Sequence, residues 1–281
     1  MADTAVDALI STARGGARSL TLCGGRTLSY LDLGADGGRA LLHFHGTGFS
    51  ALEALTGARL AAEAGVRLIA FDRPGFGGST AMPGRDLADV GRDAVALVDH
   101  LALGKFDVSG FSGGVPHALV FAAMVGPRCQ QVFGINTAGD VTSPAWGKVP
   151  MVSRVLVRVM TTRLIARRMW PRMFADIPSM LSPGTSARIA ALLNAAFDHG
   201  STHGHEASLD ELALFYRTGW RDPWRALTTP VTLLHGREDG LLPFARALAE
   251  RNARTTLVEI PGKHMDWATA AVWRPLLAKV S

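Results

Sequence analysis

Short apolar runs alternate along this chain with longer stretches that have helical spacing. The short runs are rich in β-branched residues, and they lie at 40–45, 66–72, 105–110, 130–136, 230–236 and 255–260. The stretches at 50–65, 85–104 and 115–126 have the longer period of helices. Strands that are apolar along their whole length are buried on both faces by helices. The alternation therefore predicts an α/β fold with a doubly wound, mostly parallel sheet.

Two segments depart from this alternation. Near the start, SLTLCG and RTLSYLDLG flank Gly24 and Gly25, which predicts an antiparallel hairpin at one edge of the sheet. Between 141 and 228 no strand pattern is evident, and helical segments around 151–170, 184–198 and 207–217 are punctuated by Pro150, Pro171, Pro178 and Pro183. We therefore predict a core formed by 1–140 and 229–281, with an inserted helical cap at 141–228.

Polar residues follow directly after the predicted strands. In open parallel sheets, ligands bind beyond the carboxyl ends of the strands, so residues at these ends are candidates for a site. In chain order they are His45, Asp72, Ser112, Asp140, Asp239 and His264.

Ser112 stands in DVSGFSGGVPHALV, with Gly110 two positions before it and Gly114 two positions after. One interpretation is a Gly-rich turn in which the serine caps a helix. The other is a nucleophile on a sharp strand-to-helix turn, where side chains at the two glycine positions would collide. Pro116 then falls in the first helical turn, where a missing N–H costs little.

A serine nucleophile needs a base, and the base needs an acid that orients it. His264 in EIPGKHMDW is the candidate base, and Asp239 in HGREDGLLP is the favoured acid. Glu238 and Asp140 remain alternatives for the acid.

The developing oxyanion needs backbone N–H donors. We expect one from Gly113, directly after the serine, and one from the HGTG loop at 45–48. Thr47 is the favoured donor in that loop, with Gly48 as the alternative.

The segments HGTG, DRPGFGGS, GFSGG, HGREDGLLP and PGKHMDW occur in this order, and together they resemble the α/β-hydrolase fold family. The resemblance covers almost the whole chain outside 141–228. It implies a Ser–acid–His order that maps onto Ser112, Asp239 and His264, and a cap at the inserted segment. Lys263 departs from the family, which often has glycine there. Asp72 is interpreted as a turn residue, and Ser112 argues against dehalogenases and epoxide hydrolases, which need an aspartate at that position.

We accordingly predict a serine hydrolase that cleaves a carboxylic ester or related acyl bond of a largely apolar small molecule. HGTG is similar to the loop of hydrolases that cleave carbon–carbon bonds in diketones, so that activity stays open. A non-hydrolytic lyase or cyclase and a ligand-binding module with a vestigial triad stay open as well. The side chains expected to line an apolar pocket are Met151, Met160, Met169, Trp170, Met173 and Phe174.

Composition excludes some classes of partner. The net charge of +5 comes from scattered arginines, and the chain has only two tyrosines, so we predict no nucleic-acid partner. No apolar run reaches the roughly 18–20 residues of a membrane span, and the N-terminus lacks the apolar centre of a signal peptide, so we predict no stable membrane insertion. Two cysteines without motif spacing predict a cytoplasmic protein. The oligomeric state stays open.

Two further features have competing interpretations. His199, His203 and His205 are close in sequence, but a polar loop explains them better than a metal site, so we predict no metal and no cofactor. The arginine-rich stretch 151–170 has the pattern of a membrane-facing helix or of a cap helix with arginines outside. We favour the cap helix.

Overall fold

The computed structural model describes residues 2–149, 151–218 and 227–280. Within them lie eight strands: β1 (Arg18–Thr21), β2 (Thr27–Gly34), β3 (Arg39–Phe44), β4 (Val66–Phe71), β5 (Phe106–Phe111), β6 (Cys129–Ile135), β7 (Val231–Gly236) and β8 (Thr255–Ile260). They form one sheet in the order β1-β2-β4-β3-β5-β6-β7-β8. β2 is antiparallel to β1 and to β4, and the other neighbouring pairs are parallel. The predicted fold class is confirmed.

The described helices are α1 (Ala2–Gly15), α2 (Leu55–Glu63), α3 (Leu87–His100), α4 (Gly114–Val125), α5 (Met151–Met160), α6 (Arg163–Met173), α7 (Ile177–Met180), α8 (Ala187–Gly200), α9 (Glu206–Ala213), α10 (Leu242–Arg251) and α11 (Ala270–Leu277). A single π-helical turn at Leu214–Thr218 continues α9. None of the described helices combines the length and the apolar character needed to cross a bilayer.

The strands bury apolar side chains on both faces of the sheet. In β3, Leu41 joins the apolar cluster that contains residues of α2 and α11, whereas Leu42 and Phe44 join the cluster with α3 and α4. This alternation follows from the two-residue period of a strand. It explains why the parallel strands are apolar along their whole length.

The helices of the first cluster approach one another closely. A Cβ added at Gly57 in α2 would lie 2.5 Å from the ring of Trp273 in α11, so the indole occupies the space that a side chain at 57 would need. Trp273 is fully buried there. The C-terminal helix α11 therefore packs directly against α2.

The structure adds an N-terminal helix that the strand pattern does not predict. In α1, Val6 and Ala13 are buried and seven residues apart, so they share one helical face, and the helix packs against α8. Leu9 and Ile10 pack against the same cluster as Val6 and Ala13, and Gly15 and Gly16 mark the end of the helix, so the sequence did contain a signal for it.

The described residues between β6 and β7 include helices α5–α9, which we call the helical lobe. The predicted segment 151–170 is in fact two helices, because Thr162 adopts extended backbone angles at the N-cap of α6. Pro171 lies inside α6 and does not end it. Pro150 and the predicted cap residues 219–226 lie outside the described residues.

Candidate active site

Ser112 forms a strained turn between β5 and α4. Its φ is +49°, which is unusual for a residue with a side chain. The backbone holds this conformation on both sides: the Ser112 N–H donates to the Ile135 carbonyl at 2.9 Å, and the Ser112 carbonyl accepts from the N–H groups of Val115 and Ala138. The turn is therefore fixed by β6 and by the first turn of α4.

The two flanking glycines are needed because backbone segments touch at this turn. A Cβ on Gly110 would lie 2.7 Å from the backbone of Gly114, and a Cβ on Gly114 would lie 2.0 Å from the Phe44 carbonyl oxygen at the end of β3. Both distances are shorter than any ordinary contact. The collision expected from the sequence is present in the structure.

The structure brings Ser112, His264 and Asp239 into one hydrogen-bonded chain. The His264 Nε2 lies 2.9 Å from the Ser112 Oγ, and the His264 Nδ1 lies 2.7 Å from the Asp239 Oδ2. In the tautomer that satisfies both contacts, Nδ1–H donates to Asp239 and Nε2 accepts from the serine hydroxyl. This arrangement can move the serine proton to the imidazole as the oxygen attacks a carbonyl.

The Asp239 carboxylate and the His264 imidazole each stabilise the charged form of the other. Burial alone lowers the pKa of His264, but the adjacent Asp239 carboxylate raises it above its ordinary value. Burial opposes ionisation of Asp239, yet His264 and a second imidazole, His235 on β7, hold its pKa far below the usual range. The His235 Nε2 lies 2.9 Å from the same Oδ2. Asp239 therefore stays a carboxylate, and the imidazolium that forms during proton transfer is stabilised.

The two alternative acids are bonded elsewhere. Glu238 is exposed, and its carboxylate accepts from the Gly262 N–H. Asp140 is buried and accepts from the N–H and the hydroxyl of Thr142. In the structure Asp239 is the carboxylate that contacts His264.

Asn136 also holds the site, and the sequence analysis missed it. Its side-chain amide donates to the His264 carbonyl at 2.7 Å, and its oxygen accepts from the Gly236 N–H at 2.8 Å. Asn136 follows β6 directly, with a φ of +43°. A polar residue that tolerates positive φ directly after a strand was the available signal, but Asp140 was considered there instead.

Thr47 lies against Gly113, next to the serine. A Cβ on Gly113 would lie 2.0 Å from the Thr47 Oγ1. The Thr47 hydroxyl donates to the Glu211 Oε2 at 2.7 Å, so its proton is already committed. Among the described residues, no protein acceptor binds the backbone N–H of Thr47 or of Gly113. Both N–H groups lie near Ser112, and the Gly48 N–H, the alternative donor, likewise has no protein acceptor among the described residues.

Glu53, like Glu211, hydrogen-bonds to the loop that follows β3. The Glu53 Oε1 accepts from the Gly46 N–H at 2.9 Å and faces the Nε2 of His43 at 2.8 Å. His43 also contacts the hydroxyl of Ser109 on β5. His43 is fully buried.

A cavity of about 240 Å³ opens over Ser112 and His264. Its apolar lining includes Val157, Met160, Trp170, Met173, Phe174 and Met180 of the lobe, with Phe49, Phe111, Leu241 and Met265 of the core. The described lining residues include no Asp, Glu, Lys or Arg. Met151 was predicted here, but it is 70% exposed on the outer surface of α5, because the helix turns its other face inward. Met169, also predicted here, is not among the lining residues.

Asp72 anchors a turn. One carboxylate oxygen accepts from the Ala51 N–H at 2.7 Å, and the other accepts from the Gly78 N–H at 2.9 Å. Within the described residues, no group of three His, Cys, Asp or Glu side chains is placed to hold a metal ion, and this includes the histidines at 199, 203 and 205.

The family is decided by a profile comparison that spans most of the chain. The profile of the alpha/beta hydrolase family matches residues 41–272, which include the HGTG loop, the serine turn, Asp239 and His264. The chain belongs to this family. It is a hydrolase, and its fold matches that of solved structures with a TM-score of 0.73.

Three known proteins illustrate what the chain is similar to. It is 36% identical over 129 residues to the dihydrolipoyllysine-residue acetyltransferase component of an acetoin cleaving system from Pseudomonas putida, a match that covers 45% of this chain and only about a third, 34%, of that protein. It is 24% identical to the bifunctional esterase/perhydrolase DCH of Acinetobacter calcoaceticus, covering 70% of this chain and 74% of the relative. The structure of the esterase EaEST from Exiguobacterium antarcticum superposes with a TM-score of 0.77 at 17% identity, covering 92% and 96% of the two chains.

Proposed function

We propose that this hydrolase cleaves a carboxylic ester or related acyl bond of a largely apolar small molecule, with Ser112 as nucleophile. The observation that carries the proposal is the hydrogen-bonded chain from the Ser112 Oγ through His264 to Asp239 at the floor of an apolar cavity. The relatives named as esterases support the same reaction class.

The reaction proceeds through an acyl-enzyme. The Ser112 Oγ forms a bond to the carbonyl carbon as His264 Nε2 takes its proton, and Asp239 stabilises the resulting imidazolium. The negative charge moves to the carbonyl oxygen, where the N–H groups of Gly113 and Thr47 donate to it. The C–O bond to the leaving alcohol then breaks, and the alcohol takes the proton from His264. Water, deprotonated by His264, releases the acid and restores the serine.

The cavity favours an uncharged, apolar acyl portion. A carboxylate or ammonium group placed among these side chains would lose its hydration without an ion partner, and that loss is expensive. The volume lies below the usual ~300–1,000 Å³ of small-molecule pockets, which favours a compact acyl group. The methionines allow some adaptation to its shape.

We propose the same division of the chain as the sequence predicts, with 141–228 as a cap on a core of 1–140 and 229–281. Val157, Met160 and Trp170 of the helical lobe support it, because they cover the cavity above Ser112. A cytoplasmic location stays a prediction from the two free cysteines, Cys23 and Cys129.

The test measures hydrolysis of p-nitrophenyl esters of graded chain length and labelling by a fluorophosphonate probe. We expect Ser112→Ala to abolish both, and intact mass to show one phosphonyl adduct on the wild-type protein. Asp239→Asn should lower kcat by about 10⁴-fold, as removal of the orienting acid does in such triads. Glu238→Gln and Asp140→Asn, the matched controls, should stay near wild type.

Each alternative function has its own outcome. Substrate turnover that survives in Ser112→Ala, with no trapped acyl-enzyme, would refute the nucleophile and favour a lyase or cyclase that uses His264 and Asp239 for proton transfer. An unlabelled wild-type serine without turnover would refute the proposed ester hydrolysis at Ser112 and favour a binding module. Turnover of diketones in preference to esters would replace the ester by a carbon–carbon bond.

A further inference from the structure

A buried charged cluster contacts the loop 45–48. Its centre is Glu211 of α9, whose side chain is only 2% exposed. The Arg73 guanidinium donates to both Glu211 oxygens at 2.8 Å, and Arg85 donates at 3.3 Å. The Nε2 of buried His117 lies 3.4 Å from the carboxylate. The mechanism above uses none of these four side chains.

Glu211 supports two residues of the loop, Thr47 directly and His45 through Arg73. It accepts directly from the Thr47 hydroxyl, and that oxygen lies against the Cα of Gly113. Through Arg73 it also reaches His45: the Arg73 guanidinium donates to the His45 carbonyl, and the Arg73 N–H donates to the His45 Nε2 at 3.0 Å. A single carboxylate of the helical lobe thus fixes the first and third residues of HGTG.

The ionisation states fit a permanent support. Burial opposes the charge of Glu211, but Arg73 and His117 hold its pKa well below the ordinary value, so it remains an acceptor across the working range. Burial lowers the pKa of His117 to about 4, which leaves that imidazole neutral at pH 7. The Thr47 hydroxyl therefore donates its proton to a Glu211 side chain that stays ionised.

We propose that Glu211 is a positioning residue for oxyanion stabilisation. By holding the Thr47 side chain and, through Arg73, the His45 carbonyl, it sets the direction of the Thr47 N–H beside Ser112. Oxyanion donors act only when they are pre-aimed at the developing charge. The helical lobe consequently contributes to the chemical step as well as to the cavity. This inference rests on the proposed acyl-transfer reaction.

Thr47→Val is the decisive variant, because it removes the hydroxyl and leaves the ion pairs of Glu211 in place. We expect kcat for a p-nitrophenyl ester to fall about 10-fold or more, as for a misaimed oxyanion donor. KM and the midpoint of the acid limb of the pH–rate profile should stay near wild type, because valine keeps the size of this cavity-lining side chain and His264 is unchanged. The rate of fluorophosphonate labelling should fall in parallel with kcat.

Glu211→Gln tests the carboxylate itself, and the double variant tests the link. We expect Glu211→Gln to lower kcat at least as much as Thr47→Val. The double variant should be little worse than Glu211→Gln alone, because both changes cut one connection. Glu206→Gln is the matched control on the same helix: it is 46% exposed, pairs with Arg163 and Arg167 on the surface, and should keep wild-type kcat.

A Thr47→Val enzyme with wild-type kcat and labelling rate would overturn the proposal, as would multiplicative losses in the double variant. If Glu211→Gln does not fold, Thr47→Val alone decides. Failure of the proposed function is distinguishable, because it would leave the wild-type serine unlabelled, whereas failure of this inference leaves wild type and Thr47→Val labelled at equal rates.

Discussion

Gly110→Ala tests whether the serine turn depends on contact between two backbone segments. The new Cβ would lie 2.7 Å from the carbonyl of Gly114 and 2.9 Å from the amide nitrogen of Val115. Ordinary contacts begin near 3.4 Å, so the deficit is about 0.7 Å. No side-chain rotation can relieve it, because both neighbours are backbone. The end of β5 and the start of α4 must therefore move apart.

This displacement has a cost in stability and a larger cost in rate. Overpacking a filled site costs about 1–3 kcal/mol, which for a chain of this size lowers Tm by roughly 2–10 °C. Because the same movement shifts Ser112 by a large part of an ångström from His264, we expect kcat/KM to fall about 10- to 100-fold. The loss in rate should exceed what the unfolded fraction explains.

The assay combines thermal unfolding with hydrolysis of a p-nitrophenyl ester, normalised to the fraction of protein that a fluorophosphonate labels. Gly104→Ala is the control, because a Cβ there meets nothing within 4 Å. It should keep wild-type Tm and activity. Wild-type Tm and kcat/KM in Gly110→Ala would refute the claim that this glycine provides necessary space.

Two further predictions follow from protonation. Asp239 raises the pKa of His264, and the base must be neutral, so kcat/KM should fall as pH drops through a midpoint above about 6.5. Asp239→Asn should move that midpoint down. A wild-type midpoint at or below about 6.5 would contradict this prediction. Burial raises the pKa of Cys129 to about 12, whereas Cys23 is exposed. Ellman's reagent should therefore titrate one thiol in the native protein and two after denaturation. Rapid reaction of both thiols in the native protein would contradict the burial of Cys129.

Local features were predictable from the sequence because their causes are local. The parallel strands were placed within a residue or two, since an apolar, β-branched run bounded by turn residues is a short-range signal. The glycines around Ser112 were equally readable, because the space they leave is required by the turn itself. The break at Thr161 and Thr162 was not predicted, since the apolar spacing continues through both helices.

The sequence predicted the candidate site only as residues that follow the carboxyl ends of strands. Ser112, Asp239 and His264 each follow a strand of the sheet, and parallel strands bring their carboxyl ends to one edge. Which of Asp239, Glu238 and Asp140 meets His264 could not be derived that way, because neighbouring loop residues point in different directions. The loop geometry after β7 decides it.

The sequence by itself determined the α/β architecture, the serine turn and the residues at the strand ends, because periodicity and turn chemistry act over a few residues. Only the tertiary structure decided that Glu211, 164 positions from Thr47, lies against the HGTG loop, and that His235 shares Asp239 with His264. Glu211 lies outside all the motifs, and His235 begins HGREDGLLP without any local sign of the carboxylate that it meets. The role of a buried carboxylate depends on the partners that packing brings to it, and those partners come from distant parts of the chain.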